Sequence, residues 1–343
     1  MRELLQFNWR AIDHAATVKI SIGLIVMLVL TKLTGQPWLA TALAAMFAWL
    51  ANTPGPLKNR IGGMAAFALI ALILTLVFDW IGLALWPNVV AIAIVALAGT
   101  AALLAGIRAF MVGWSSICWA IYGPFLVATT SVNNCLLAVL AGTGIIIGLN
   151  IIGEWLGGRK ASPPSDENEE PPSTRAAIPG IGDVIAYALT VAAVLAFTTY
   201  WGWGVLEMDP TLMVGGAFFV IGFDLRKTWV SGIARILGLI SGVALGLLFA
   251  KLLGPGLPLD IIMILACGLS FGAVAVHPGA WMFFFMIFVA AGWPGLDPAT
   301  SDQAMKERFF GETVGVVIAI AGLGFLHWWQ TRRSRGAPPT SSS

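Results

Sequence analysis

The stretch Gly157–Gly180, GGRKASPPSDENEEPPSTRAAIPG, decides how the rest of the chain is read. Pro163-Pro164 and Pro171-Pro172 bracket the acids Asp166, Glu167, Glu169 and Glu170, and nothing in the run can bury a core. It reads as a disordered tether. On either side lies almost unbroken apolar sequence of nearly equal length, about six spanning-length segments to a side. The two sides also share wording. Arg60-Ile61-Gly62-Gly63 opens a long apolar segment in the first half, and Arg235-Ile236-Leu237-Gly238 opens one in the second. A duplicated membrane bundle with a solvated hinge points to a transporter.

Composition supports the membrane reading. Hydrophobic residues make up 58% of the chain and charged residues 10%, with a mean hydropathy of +0.88. A soluble domain carries about 25% charged residues. The net charge of +2 is small and ungathered, which excludes nucleic acid as a partner. Cys118, Cys135 and Cys267 each sit inside an apolar run with no C-x-x-C spacing, so disulfide, metal and cofactor frameworks are not expected. They read as small buried hydrophobes.

A spanning helix needs about 20 apolar residues. Spans are expected near 15–34, 38–51, 61–80, 88–107, 109–130 and 134–156, then near 183–205, 211–223, 230–252, 259–276, 279–293 and 308–329. The A-x-A-like site at Thr41-Ala42-Leu43-Ala44 lies too far in for a cleaved leader, so the first segment is expected to stay. The fold class is therefore all-α and polytopic, about 12 transmembrane helices as two parallel six-helix repeats. The expected organisation is a first repeat at 1–156, a linker at 157–180, a second repeat at 181–330 and a disordered tail at 331–343. Segments 38–51, 211–223 and 279–293 are short for full crossings. The first two hold matching places after Pro37-Trp38-Leu39 and Pro210-Thr211-Leu212, and matched short segments point either to a binding site or merely to shared ancestry.

Charge sets the orientation. With a cytoplasmic N-terminus and twelve spans, fourteen of the nineteen Lys and Arg face the cytoplasm, Lys19 lies in the first span, and Lys32, Lys251, Lys306 and Arg308 face out. Both termini and the linker are then cytoplasmic. Ala234, Gly238, Gly242 and Gly246 recur every four residues and should form a helix–helix seam, with Gly144-Gly148 and Gly311-Gly315 as shorter versions.

Each half resembles the membrane unit of the fusaric acid resistance and aromatic acid exporter family. That unit has six spans, an Arg-x-x-Gly opening the third, and an Arg-x-x-Gly-x-Thr-x-x-Gly-like opening of the last. The third-span match is Arg60–Gly63 and Arg235–Gly238. The last-span match is Arg308-Phe309-Phe310-Gly311-Glu312-Thr313-Val314-Gly315, reduced in the first half to Gly142-Thr143 and Gly148. The resemblance implies a bacterial inner-membrane exporter of aromatic carboxylic acids that uses the proton gradient, and leaves a homodimer open. Many members carry a sizeable cytoplasmic domain, where this chain has a short linker.

Ionisable groups inside apolar runs are functional candidates, because each is unfavourable at membrane depth by about 2.5–3.5 kcal/mol. An anion pathway needs an always-protonated cation that grips a carboxylate with two parallel bonds. Arg108, Arg60, Arg235 and Lys19 are the candidates to bind a small organic anion. Snorkelling, or for Arg108 a one-residue turn between spans, is the plainer reading of each. For proton coupling the candidates are His277, before the helix break Pro278-Gly279, and Glu312 with Arg308 four residues earlier on the same helix face. Glu312 and Arg308 also read as a self-neutralising pair, and His277 as a lone turn histidine. Thr129, Thr130, Ser131, Asn133 and Asn134 are candidates to line the route. Trp281-Met282-Phe283-Phe284-Phe285 offers faces for an aromatic ligand, or simply faces lipid.

The leading expectation is a proton-coupled exporter of small organic acids in the bilayer. A passive organic-anion channel and a membrane scaffold assisting a partner are the alternatives. No G-x-S-x-G, H-E-x-x-H, paired intramembrane aspartates or histidine cluster supports an enzyme.

Overall fold

The computed structural model describes residues 12–34, 38–53, 55–156, 180–207, 210–218, 221, 225–254, 256–273, 278–292 and 298–335. These residues form twelve α-helices and no strand. In the first half they are α1 His14–Thr34, α2 Trp38–Leu50, α3 Leu57–Ile81, α4 Leu85–Ala101, α5 Ile107–Thr130 and α6 Val132–Leu156. In the second half they are α7 Ile181–Thr199, α8 Pro210–Phe218, α9 Leu225–Leu253, α10 Leu257–Ala273, α11 Pro278–Gly292 and α12 Pro298–Arg335. A 3-10 turn, Ala102–Ala105, ends α4, and a π-helical turn, Tyr200–Val205, ends α7. Each apolar stretch marked in the sequence thus carries a helix. Among the described residues seven stretches are long and apolar enough to cross a membrane: Leu57–Ile81, Leu85–Ala105, Ile107–Thr130, Val132–Trp155, Ile181–Val205, Gly232–Leu253 and Phe309–Trp329. Most of the tether, residues 157–179, lies outside the described residues.

Exposed Leu69, Ile73, Leu76 and Trp80 follow one face of α3, a stripe with no aqueous rationale that suits lipid. Trp155, Trp328 and Trp329 are exposed near helix ends, where amphipathic rings settle at a membrane interface.

The chain packs as two compact units. The leading unit takes Met27–Ala84 and Ala91–Ala192, and the trailing unit takes Met1–Val26, Leu85–Val90 and Ala193–Ser343.

In the leading unit α5 is the interior helix, buried on nearly every side from Ser115 to Ile121. It runs parallel to α3. Val112 lies near Gly63, and Gly123 lies against Phe78. Between them Trp119 donates Nε1–H to Thr75 Oγ1 at 3.1 Å, while Thr75 donates back to the Ala71 carbonyl at 2.8 Å. Phe47 of α2 stacks on Tyr122 and meets Trp119 edge-on. The short helix α2 is interior: Ala40 to Ala48 are all buried. Its backbone lies against α6, where a Cβ on Gly142 would come within 2.6 Å of the Thr41 carbonyl oxygen.

The trailing unit repeats several of these pairings. The second helix of the second half, α8, is buried from Thr211 to Phe218 and packs on that half's last helix α12, with Gly315 against the Met213 carbonyl and Gly216 against that of Glu312. That half's third helix α9 lies along its fifth, α11, with Gly238 against the Gly279 carbonyl and Gly242 against that of Phe283. Of the seam expected at Ala234, Gly238, Gly242 and Gly246, Gly238 and Gly242 make these close backbone approaches. One expected seam is absent: nothing lies within 4 Å of a Cβ built on Gly144 or Gly148. The close approach of α6 falls on Gly142, two residues away and so on the other side of the helix.

Candidate functional site

In each unit the arginine that opens the third helix of its half reaches a polar side chain on the last helix of that half. The partners differ, and so does the electrostatic outcome.

Arg60 lies in the first turn of α3. Its Nε–H donates to Asn52 Oδ1 at 2.9 Å, and its Nη2 donates to Asn150 Oδ1. Asn150 is buried in α6. Its Nδ2 donates to the Ile146 carbonyl at 2.9 Å and points at Met64 Sδ, so its amide oxygen is held toward the arginine. Two neutral amides thus fix the guanidinium of a half-buried arginine. Three of its five N–H groups remain for another acceptor.

Asn52 lies in the loop between α2 and α3, and so does Gly55 with φ 140°, a conformation that L side chains rarely adopt. A Cβ at Gly55 would also meet Nη2 of Arg108 at 3.3 Å. Arg108 reaches this loop from α5, whose start is set by Gly106 with φ 107°. It lies in the first turn of α5 and is exposed, as is Lys58. Arg60 and Arg108 therefore flank one loop, with Lys58 at its end. Glu154, one turn past Asn150, is exposed. Among the described residues no carboxylate forms an ion pair with Arg60 or Arg108.

In the trailing unit Arg235 of α9 donates Nη2–H to Glu312 Oε2 of α12 at 3.1 Å, with side chains only 3% and 5% exposed. Its guanidinium also lies over the Trp281 ring of α11 at 5.8 Å, and Trp281 stacks on Phe285 at 5.6 Å. Met282 and Phe284 to Phe288 are buried, so this aromatic run is interior rather than lipid-facing. The packing of α11 on α9 accounts for that.

The remaining candidates scatter. Lys19 is half-buried on α1. His277 and the side chain of Arg308 lie outside the described residues. The polar cluster at the end of α5 mostly satisfies its own backbone: Thr129 and Thr130 donate to the Phe125 and Leu126 carbonyls, and Asn134 Nδ2 donates to the Thr130 carbonyl. The three cysteines are buried, as their apolar context implied.

Sequence reasoning missed Asn150, although a signal existed. It is the one side-chain hydrogen-bonding residue between Thr143 and Glu154, and a lone amide in an apolar helix needs an interhelical partner. The bond from Glu312 to a different helix was not foreseen, while the side chain of Arg308, read as its partner along one helix, lies outside the described residues.

Comparison with known proteins supports this picture from one side. A family model described as fusaric acid resistance protein-like matches residues 185–322, from within α7 to within α12. It includes Arg235, Trp281 and Glu312, and it is the family that the Arg-x-x-Gly openings resemble. No curated protein and no solved structure matches the chain. The apolar helices and this match together make the chain a multi-pass membrane protein.

Proposed function

We propose that the chain is a secondary transporter of the bacterial inner membrane that exports small organic anions, aromatic acids among them, with proton coupling. In this reading its halves are two copies of one six-helix unit. The repeated pairing of second with sixth, third with fifth and third with sixth helices supports the duplication. The family match supports a transport role.

One observation carries the anion: Arg60, half-buried, is held by Asn52 and Asn150 and by no carboxylate among the described residues. A half-buried charge that the fold leaves without a counter-charge is favoured by the arrival of an anion. The amides aim the guanidinium without neutralising it, and Arg108 adds a second cation at the same loop. A planar carboxylate fits the remaining N–H groups by two parallel bonds.

The test is uptake of labelled 4-hydroxybenzoate into liposomes holding purified protein, with and without an imposed pH gradient. Hydrogen bonds to charged groups are each worth about 1.5–3 kcal/mol, so Arg60→Gln should lower subsaturating transport about 10- to 100-fold, and Arg108→Gln by less. Downhill flux that ignores the pH gradient would make the chain a passive channel instead. Full transport in Arg60→Gln would remove the anion site from this arginine.

A further inference from the structure

We infer that Lys58 and Arg108, beside the bare backbone of Gly55, hold the phosphate of an anionic phospholipid at one edge of the bilayer. This goes beyond the transport reading and stands without it, because it needs only that the leading unit lies in a membrane.

Depth places these cations at headgroup level. Trp80 closes the exposed stripe of Leu69, Ile73 and Leu76 on α3 and is 86% exposed. Toward the start of the helix the same face continues through exposed Ala66, Ala65 and Gly62 to Lys58. Lys58 precedes Trp80 by 22 residues, about 33 Å of helix, against a hydrocarbon core about 30 Å thick. With the indole at one interface, the ammonium of Lys58 falls at the other, beside the lipid phosphates.

Arg108 reaches the same level from α5, which runs parallel to α3. Each cation lies in the first turn of its helix. A Cβ on Gly55, three residues before Lys58, would meet Arg108 Nη2 at 3.3 Å, so the guanidinium lies over a loop residue that carries no side chain. Both cations are exposed, and among the described residues neither has a hydrogen bond or an ion pair. On α2, α3, α5 and α6, the helices around this loop, the acids are Asp79, at the opposite end of α3, and exposed Glu154. Three cations, Arg60 included, thus gather where the surrounding helices bring one carboxylate.

A phosphate diester suits this arrangement. Arg108 can give two parallel N–H bonds to two phosphate oxygens, and Lys58 adds a compact point charge. Basic pockets between membrane helices bind anionic headgroups in this way. A zwitterionic headgroup would bring its own ammonium against the same cations and is the weaker ligand. The small residues Gly62, Ala65 and Ala66 let the acyl chains run close along α3. Arg60, turned inward onto Asn52 and Asn150, is left for a soluble anion.

The test is native mass spectrometry of purified full-length protein in detergent, titrated with phosphatidylglycerol, phosphatidylcholine or inorganic phosphate. Each surface cation is worth roughly fivefold in affinity for an anionic lipid. Wild type should therefore prefer phosphatidylglycerol to phosphatidylcholine. The double variant Lys58→Gln, Arg108→Gln should bind phosphatidylglycerol about 25-fold more weakly and phosphatidylcholine as before. Should the double variant not fold, Lys58→Gln alone should show the loss of about fivefold. Lys251→Gln, which removes an exposed cation from α9, should change nothing. Equal affinity for the two lipids, unchanged binding in the Lys58 and Arg108 variants, or an equal loss in Lys251→Gln overturns the inference. Inorganic phosphate that displaces the lipid at matching concentration would make this a soluble-anion site and overturn the lipid assignment. Arg60 is intact in every variant, so its part in uptake is decided separately in liposomes.

Discussion

Replacing the Arg235–Glu312 pair in three ways separates its structural role from its chemistry. Both side chains are buried and joined at 3.1 Å. Removing one member of such a pair leaves a buried charge and is destabilising by about 3–5 kcal/mol, whereas replacing both with apolar residues of similar volume is neutral or stabilising by about 1–4 kcal/mol. Arg235→Met and Glu312→Leu should each be strongly destabilising, and the double variant should recover most or all of the loss. For a unit of 150–250 residues, 1 kcal/mol shifts Tm by about 2–4 °C, so each single variant should melt roughly 6–20 °C below wild type. The double variant should melt within a few degrees of it. Thermal unfolding in detergent, followed by tryptophan emission, measures all four proteins. The refuting result is additivity, a double variant destabilised by the sum of the singles. That outcome would mean that the two side chains contribute through separate contacts and that their ion pair contributes little.

Other perturbations follow from the same geometry. Asn150→Asp puts a carboxylate onto Arg60 and should abolish anion uptake in liposomes, while Asn150→Leu should lower it about tenfold through the loss of one aiming bond to a charged group. Gly142→Ala and Gly315→Ala each force a Cβ into the backbone of a neighbouring helix and should be destabilising by about 1–3 kcal/mol, while Gly144→Ala, which faces open space, should leave Tm unchanged or raise it slightly. The thiols of Cys118 and Cys267 are fully buried, so a maleimide should modify them only as fast as the bundle opens, which time-resolved mass measurement would show.

The sequence exposed what depends on neighbours along the chain. Apolar length located each helix, the four-residue recurrence of small residues located the α9 seam, and the shared Arg-x-x-Gly marked Arg60 and Arg235 as equivalent openings. It could not expose which helix a face meets. Periodicity places Glu312 and Arg308 one turn apart on one surface, which makes them natural partners along the chain. The bond to Arg235 depends on α9 lying beside α12, which no local pattern encodes. The aromatic run after Gly279 was ambiguous for the same reason. A lipid-facing helix and a buried one have the same composition when the solvent is as apolar as the core.

The Arg235–Glu312 bond also constrains orientation, and here it opposes the charge count. The apolar stretches Gly232–Leu253 and Phe309–Trp329 are 22 and 21 residues long, each about 30 Å at 1.5 Å per residue. Arg235 and Glu312 both lie three residues past the start of their stretch. Were α9 and α12 upright and entering from opposite faces, as six crossings per half require, these residues would sit about 20 Å apart. Their bond instead sets the two starts at one level, so upright helices must enter from the same face. The excess of Lys and Arg predicted the reverse, with Lys227 inside and Lys306 outside. Single cysteines at these two positions, in a protein lacking Cys118, Cys135 and Cys267, decide between the two with an impermeant thiol reagent applied to oriented vesicles. The bond predicts labelling of both positions from the same side. Labelling from opposite sides would refute upright packing and require the polar first turns of α12, before Phe309, to descend within the bundle. That is where backbone carrying Asp302, Lys306 and Glu307 would have to line a water-filled route.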